Sequence, residues 1–310
     1  MKIAIAGGSG FIGKALTKKL QEKNHQVVIL TRGISRKDSE SGIQFIQWRK
    51  QDSHPVDDLQ DTDVFINLAG ESLGSGRWTE QKKERIYGSR LNAVDELLFI
   101  MKKMNKKPKA LINASAIGYY GTSETAHFTE LDDPGNDFLA KTVNDWEEKA
   151  LQAKEIGVRT VLCRFGLILD QQEGALPRIV FPYQAFIGGT IGSGRQWMSW
   201  IHIKDVVNAL LFVIENKEIA GPVNFTAPNA VQMKEFGQQL AKVLHRPHWL
   251  SVPGFALRML LGEMSMLVLE GQKVLPQKLL ENGYTFQFSN LSDALSDLFF
   301  SSRYHSNLRR

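Results

Sequence analysis

Hydrophobic residues recur along this chain with two spacings. Short apolar runs with β-branched residues predict buried strands. These runs are "KIAIA", "QVVIL", "DVFINLAG", "KALINASA", "VRTVLCRFGLIL" and "GPVNFTAP". The segments between them carry apolar residues every three or four positions, as at Ile12, Leu16 and Leu20, and predict amphipathic helices. Strands alternating with helices predict an α/β fold with a Rossmann-type, doubly wound parallel sheet.

The regular alternation ends near residue 174. We expect residues 1–174 to form the Rossmann domain, with sheet contributions from residues 198–228. Residues 175–310 would then form a smaller substrate-side region, with a mostly helical C-terminal domain from about residue 250. That domain carries a stripe of Met and Leu. The stripe could be a partner surface, but packing against the core is favoured.

Composition narrows the class of protein. Cys163 is the one cysteine of the 310 residues, which excludes a disulfide framework, and its apolar surroundings predict a buried thiol. The net charge of +5 comes without stacking aromatics or a nucleic-acid motif, so we expect no nucleic acid partner. Neither a signal peptide nor an apolar run of about 20 residues is visible, which predicts a cytoplasmic protein without a membrane partner. No group of His, Cys, Asp and Glu in the sequence has the spacing of metal ligands. The positive net charge suits a small anionic ligand.

A glycine array follows the first predicted strand and opens the first predicted helix. "AGGSGFIG" places Gly7, Gly10 and Gly13 where a tight turn, close approach of a pyrophosphate and helix–strand packing require glycine. The helix N-terminus adds positive potential. We therefore predict dinucleotide binding, with contacts from Gly7, Ser9, Gly10, Phe11, Ile12 and Gly13.

The ends of the next two strands refine that prediction. An NAD site offers an acidic residue at the end of the second strand, whereas this chain has Thr31 and Arg32. A hydroxyl and a guanidinium suit a 2′-phosphate, so we predict NADP(H), the alternative being an exposed surface arginine. "NLAGES" closes the following strand with small residues. There we predict cofactor contacts from Leu68, Ala69 and Gly70. The alternative is that these small residues only end the strand and have no ligand contact.

These motifs resemble the extended short-chain dehydrogenase/reductases. "AGGSGFIG", "NLAGESLGSGRW", "GSRLNA", "SAIGYYG", "DFLAKTVNDWE", "IGSGRQWMSWIHIKD" and "LEGQKVLPQKLLENGY" together are similar to an atypical branch. That branch is the NAD-dependent epimerase/dehydratase-like family with a C-terminal domain of unknown function. The resemblance covers nearly the whole chain. It implies a Rossmann-type protein that binds NADP and whose substrate is unidentified. It also makes a homodimer one possible oligomeric state.

The chain departs from the family's catalytic motif. Extended relatives carry Tyr-x-x-x-Lys, with a glutamate four residues after the lysine. If Glu147 matches that glutamate, the lysine position falls on Val143 and the tyrosine position on Leu139. Without the lysine, a tyrosine keeps a pKa of about 10 and is a poor base at neutral pH.

Other residues must then supply any chemistry. Ser115 ends the strand that carries a catalytic serine in relatives and could polarise a carbonyl, while Tyr119 or Tyr120 could supply a proton or simply pack against the loop. Arg90 matches a helix position that would face the cofactor phosphates or an anionic substrate, or else form a surface salt bridge.

Two further positions complete the predicted cofactor site. Arg164 lies at the ligand-facing end of a strand, and Ile168 would pass the nicotinamide shortly after it. His202 is a weaker acid–base candidate, because the matching segment of relatives is structural. In the glycine-rich loop of residues 188–200, Trp197 or Trp200 could stack on a ligand, the alternative being a structural lid without ligand contact.

Two functions therefore stay open. The favoured one is an NADP(H)-binding, epimerase-like oxidoreductase that acts on an unidentified, possibly anionic, small molecule without the Tyr-x-x-x-Lys pair. The alternative is a non-catalytic NADP(H)-dependent regulator or redox sensor.

Overall fold

The computed structural model describes residues 1–50, 53 and 55–301. Within them the strands are numbered in chain order: β1 (Lys2–Ala6), β2 (Gln26–Thr31), β3 (Arg36–Lys37), β4 (Gln44–Gln47), β5 (Val64–Asn67), β6 (Ala110–Ala116), β7 (His127–Phe128), β8 (Arg159–Phe165), β9 (Leu167–Leu169), β10 (Gly189–Ile191), β11 (Trp197–Met198), β12 (Trp200–His202), β13 (Gly221–Phe225), β14 (Val231–Gln232), β15 (Leu250–Val252) and β16 (Lys273–Val274).

The α-helices are α1 (Phe11–Glu22), α2 (Pro55–Asp58), α3 (Glu80–Lys103), α4 (Phe138–Leu151), α5 (Leu176–Gln184), α6 (Ile203–Glu215), α7 (Met233–Leu244), α8 (Gly254–Leu261), α9 (Met266–Leu269), α10 (Gln277–Glu281) and α11 (Leu291–Ser296). Short 3₁₀ turns at Ile117–Tyr120, Gln152–Ile156 and Gly262–Ser265 connect some of them.

Eight strands form one sheet in the order β13-β8-β6-β5-β1-β2-β4-β3. All neighbours are parallel except β3, which pairs antiparallel with β4. The chain winds outward from β1 in both directions, which confirms the predicted Rossmann-type α/β fold. Because β13 comes from the second half of the chain, that half completes one edge of the sheet.

Helices cover both faces of the sheet. On one face α1 and α6 bring Leu16 and Leu210 into a common apolar core with the strands. On the other face α3 and α4 bury Leu97 and Trp146. The strands read as continuous apolar runs because both of their faces are buried.

Side chains fix the start of two helices that border the site. Thr79 caps α3 by accepting the backbone N–H of Lys82 at 3.2 Å, as its position predicts. Asp137 caps α4 by accepting the N–H groups of Leu139 and Ala140 at 2.8 and 2.9 Å.

The C-terminal part consists of the short helices α8 to α11 with β15 and β16 among them, and Gly262 ends α8. The expectation that its Met and Leu residues pack into the core is wrong for α8: none of its residues is buried, and Met259 is 75% exposed. The small sheet of β10 and β15 leads directly into α8, which leaves this helix outside the main layers.

Candidate functional site

The glycine loop joins β1 to α1 with no space for side chains. Gly7 has φ of +79°, and a Cβ there would lie 2.7 Å from the carbonyl oxygen of Leu68. A Cβ on Gly13 would lie 2.6 Å from Cα of Gly8, so the helix packs directly on the loop. No side chain caps α1 at Gly10, and its first N–H groups therefore remain available to an anion. This cradle fits the pyrophosphate of a dinucleotide.

The end of β2 lies beside this loop. The hydroxyl of Thr31 accepts the N–H of Gly33 at 3.0 Å, which shapes the turn. Arg32 is exposed and makes no hydrogen bond or ion pair with any residue of the described ranges. Its charge reaches the loop after β5: the pKa of Glu71 is lowered, first by a hydrogen bond from Lys82 and to a lesser degree by arginines that include Arg32.

Arg90 projects from α3 toward the same loop. A Cβ on Gly70 would lie 3.5 Å from the Arg90 guanidinium carbon, and the guanidinium lies 5.3 Å from the ring centre of Trp146. It donates to the carbonyl of Ile86 at 2.8 Å but pairs with no carboxylate of the described chain. Burial lowers its pKa to about 10. A partly buried cation without a carboxylate partner suits an anionic ligand better than a structural salt bridge.

The segment after β9 closes over the start of α1. A Cβ on Gly174 would lie 3.2 Å from the ring of Phe11 and 3.6 Å from the carbonyl oxygen of Ile168. Lys14 and Glu173 form an ion pair of 3.0 Å across the same junction. Phe11 and Ile168 therefore both lie beside Gly174, while Ser9 and Ile12 lie on the glycine loop and the first turn of α1. Their contacts with a cofactor stay a prediction.

A buried polar cluster occupies the carboxyl ends of β6 and β8. Arg164 donates to both carboxylate oxygens of Glu147, at 2.8 and 2.7 Å, and to the hydroxyl of Tyr120 at 2.9 Å. The hydroxyl of Ser115 donates to the same carboxylate. Arg164 is 2% exposed, so its bonds are internal, and this geometry weighs against the predicted cofactor contact from Arg164.

The two tyrosines have different surroundings. Tyr120 is buried, donates to Asn224 at 2.7 Å and stacks on Phe128. Burial raises the pKa of Tyr120 to about 12, despite the opposing charge of Arg164. Tyr119 is half-buried, and the Arg164 guanidinium lies 3.5 Å from the centre of its ring. Burial also raises the pKa of Tyr119, with Arg164 acting in the opposite direction. Tyr119 is thus the better placed of the two to meet a substrate.

The positions of the missing motif lie on α4. Leu139 follows the N-terminal residue of the helix and packs near Gly118, and Val143 is buried one turn later. The two positions that would hold the tyrosine and the lysine therefore carry apolar side chains that pack within the fold. The cation nearest a tyrosine ring in this region is Arg164, which comes from a neighbouring strand.

His202 and Trp200 are structural in this fold. His202 caps α6 by accepting the N–H of Lys204 at 3.0 Å, and burial lowers its pKa to about 4. Trp200 is fully buried and donates to the carbonyl of Asn229, so the expectation that it could stack on a ligand is wrong. The ring of Trp197 packs under Lys273 at 4.7 Å and donates to Glu124. No group of His, Cys, Asp and Glu in the described ranges could hold a metal ion.

Sequence reasoning missed the centre of the cluster. Glu147 served only to align the family motif, yet it joins Ser115, Arg164 and, through them, Tyr120. The signal was a glutamate next to Trp146 on the apolar face of α4. Asn224 is a second unpredicted member, and it also donates to the carbonyl of Leu275 at 2.9 Å.

Comparison with known proteins agrees with this geometry. The chain matches the NAD dependent epimerase/dehydratase family over residues 3–225 and a domain of unknown function, DUF1731, over residues 252–298. It is 46% identical over 299 residues to the epimerase family protein YfhF of Bacillus subtilis, covering 96% of this chain and 98% of that protein.

Solved structures of epimerase family proteins are similar to this chain. The human epimerase family protein SDR39U1 (isoform 2) with NADPH is similar, with a TM-score of 0.84, 30% identity, and coverage of 96% of this chain and 99% of that chain. UDP-glucuronic acid 4-epimerase from Bacillus cereus in complex with NAD has a TM-score of 0.76 at 18% identity, covering 96% and 94%, and shows the fold alone.

The family match, the relatives and the glycine cradle lead to one conclusion. This chain belongs to the NAD-dependent epimerase/dehydratase family, as an atypical, nucleotide-binding short-chain dehydrogenase/reductase with the C-terminal domain of unknown function.

Proposed function

We propose that this protein is a cytoplasmic, NADP(H)-dependent oxidoreductase of the epimerase type, acting on a small carbonyl or hydroxyl compound. The observation that carries the proposal is Arg32, an exposed guanidinium beside the glycine loop that has no partner among the described residues. Such a group suits the 2′-phosphate that distinguishes NADP(H) from NAD(H). The human relative was solved with NADPH, which supports the same choice.

The proposed chemistry uses Tyr119 as the proton donor to the substrate oxygen. Tyr119 lies at the carboxyl edge of the sheet, half-buried, with the cation of Arg164 against its ring. Arg164 thereby takes the electrostatic part that the lysine has in relatives, although Glu147 offsets much of its charge. Arg90 is proposed to bind a phosphate of the cofactor or an anionic group of the substrate.

A second candidate is favoured by one observation. The hydroxyls of Ser115 and Tyr120, both candidate catalytic groups, are already committed within the buried cluster. A protein that binds NADP(H) and senses its redox state without turnover needs no free catalytic groups. We therefore keep a non-catalytic NADP(H)-dependent regulator as the alternative.

Fluorescence titration with NADPH and NADH tests the cofactor choice. We expect tighter NADPH binding, and Arg32→Ala should weaken it about tenfold or more while NADH affinity stays unchanged, because a charged hydrogen bond is lost. Arg36→Ala is the matched control, since the Arg36 guanidinium lies over the ring of Phe45, 4.5 Å from its centre. Equal affinity of the wild type for the two cofactors would refute the NADP(H) assignment.

Oxidation of bound NADPH by a panel of carbonyl compounds tests the chemistry. Tyr119→Phe should lower the rate about 100-fold or more with little change in NADPH affinity, whereas Tyr120→Phe should act mainly on stability. Tight NADPH binding without turnover of any carbonyl compound would favour the regulator.

A further inference from the structure

The short helix α8 is apolar apart from Arg258, and yet none of its residues is buried. Seven of its eight residues in "GFALRMLL" are apolar or glycine. Phe255 is 68% exposed, close to the value for Met259. A helix that is hydrophobic all round normally lies in a core or in contact with lipid. On its own, α8 therefore lacks its packing partner.

The exposed surface continues beyond this helix. Trp249, which precedes β15, is 68% exposed and donates its ring N–H to the carbonyl of Phe186 at 2.9 Å. Pairing of β10 with β15 holds these two stretches together, and β15 leads through Pro253 into α8. We define the apolar face by its exposed side chains: Phe181, Phe186, Ile187, Trp249, Leu250, Phe255, Met259 and Leu260. Exposed apolar side chains that gather on neighbouring elements mark interaction surfaces, whereas scattered ones do not.

Charge on this face has one sign. Residues 174–203 and 236–262, which supply the apolar face, contain no Asp or Glu. They do contain Arg246, whose guanidinium lies over the ring of Phe186 at 4.6 Å, and the exposed Arg258. The next acidic residue after α8, Glu263, forms an ion pair with Lys83. A partner that covers this face must therefore offer both apolar groups and negative charge.

We infer that the apolar face binds peripherally to an anionic phospholipid bilayer. Its aromatic and methionine side chains reach the boundary of headgroups and acyl chains, while Arg246 and Arg258 meet the phosphates. A second copy of this chain fits less well, because the same face of that copy would offer no carboxylate to the two arginines. No helix in the described ranges is long and apolar enough to cross a membrane, so the contact is at the surface.

The proposed surface borders the cofactor site. Arg77, in the loop after β5, donates to the carbonyls of Met259 and Leu260 at 2.6 and 2.9 Å. The same loop contains Gly70, which lies beside Arg90. Docking would therefore hold the mouth of the cleft close to the bilayer. The inference rests on the surface alone and does not depend on the proposed oxidoreductase activity.

Co-sedimentation of the full chain with vesicles tests this inference. We expect binding to vesicles of equal parts phosphatidylglycerol and phosphatidylcholine, weakening between about 50 and about 500 mM NaCl, and little binding to phosphatidylcholine alone. The double change Phe255→Ser with Met259→Ser should lower the partition coefficient at least about tenfold. Arg258→Gln should lower it about fivefold.

A matched control uses exposed apolar residues elsewhere. Phe99 and Leu131 are 53% and 88% exposed, and Phe99→Ser with Leu131→Ser should leave vesicle binding unchanged. NADPH titration of every variant verifies that it is folded. Absence of binding to the anionic vesicles, or equal binding by the two double variants, would overturn the inference. So would a concentration-dependent dimer that Phe255→Ser dissociates, since the face would then belong to a second copy.

Discussion

At the residue scale, the cofactor site depends on backbone positions that leave no room for a side chain. Gly13 lies within the first turn of α1, and its missing Cβ lets the helix approach the backbone of Gly7 and Gly8. The neighbours of that Cβ would be backbone atoms, which cannot rotate away. Crowding at Gly13 therefore has to be relieved by moving the helix or the loop.

We expect Gly13→Ala to lower the free energy of unfolding by about 2 kcal/mol and to weaken NADPH binding, because both depend on this packing. Urea unfolding and fluorescence titration measure the two effects. Gly88→Ala is the control: Gly88 also lies in a helix, but a Cβ there would meet nothing closer than 4.0 Å. It should raise stability by about 0.5–1 kcal/mol. Equal destabilisation by both changes would contradict this account.

Single residues also show the limits of sequence reasoning. The glycines were predictable, because their order after a strand and before a helix has one physical explanation. The partner of Arg164 was not: seventeen positions separate it from Glu147, and the two meet only because α4 packs against β8 in the folded chain. Arg90 could be assigned to the cleft but not to its position between Gly70 and Trp146.

At the element scale, α6 begins at a buried histidine. His202 accepts the N–H of Lys204 through Nδ1, packs on Phe288 and lies 3.3 Å from Asp297. Burial lowers its pKa from 6.5 to about 4, although the charge of Asp297 opposes this shift. The neutral ring is therefore the form that caps the helix.

This shift predicts a pH dependence of stability. The pKa of His202 is lower in the folded state, so the unfolded chain binds more protons between about pH 6.5 and pH 4. The contribution of His202 is complete above the upper value and decreases as the pH falls toward the lower one. We expect a loss of about 2 kcal/mol at pH 5 relative to neutral pH, measured by urea unfolding.

His202→Asn should reduce that loss, because asparagine can cap the helix without titrating in this range. His127→Gln, at an exposed position, is the control substitution of a histidine. If the asparagine variant kept the full loss, the titration would belong to another group.

Element prediction succeeded where periodicity was strong. The strands β1, β2, β5 and β6 follow directly from apolar spacing. Periodicity failed where the chain is short or mixed. Thus β4, four residues long, was missed, and "VRTVLCRFGLIL" divides at Gly166, where a Cβ would strike Thr226 and the backbone of Ser199. The apolar character of α8 predicted burial, yet composition alone does not say which surface covers a helix.

At the scale of the whole molecule, one carboxylate fastens the C-terminal segment to the Rossmann sheet. Asp205, in the first turn of α6, accepts the N–H groups of Gln287 and Phe288 at 2.8 and 2.9 Å and the hydroxyl of Tyr284 at 3.2 Å. Asp205 is 1% exposed, and Tyr284 and Phe288 are each 8% exposed. Hydrogen bonds to one carboxylate thus connect residues that are far apart in sequence.

Removing the carboxylate should loosen that segment. We expect Asp205→Ala to cost about 3 kcal/mol of stability, because buried donors lose their acceptor. Hydrogen exchange should become faster in residues 284–298 than in β1 or β5. The control Asp293→Ala, on the exposed side of α11, should change neither stability nor exchange appreciably. Uniform acceleration of exchange throughout the sheet would mean that these hydrogen bonds stabilise the whole fold and not the C-terminal segment in particular.

The contact of α1 with α6 also has a consequence for synthesis of the protein. The apolar side chains Leu16 and Leu20 of the first helix pack with Val206 and Leu210 of the sixth. On the ribosome, α1 emerges long before its partner has been translated. Until then the nascent chain must carry an uncovered apolar stripe, a binding site for chaperones. Completion of the nucleotide cleft thus waits for the last third of the polypeptide, and a truncated translation product would be a target for proteolysis.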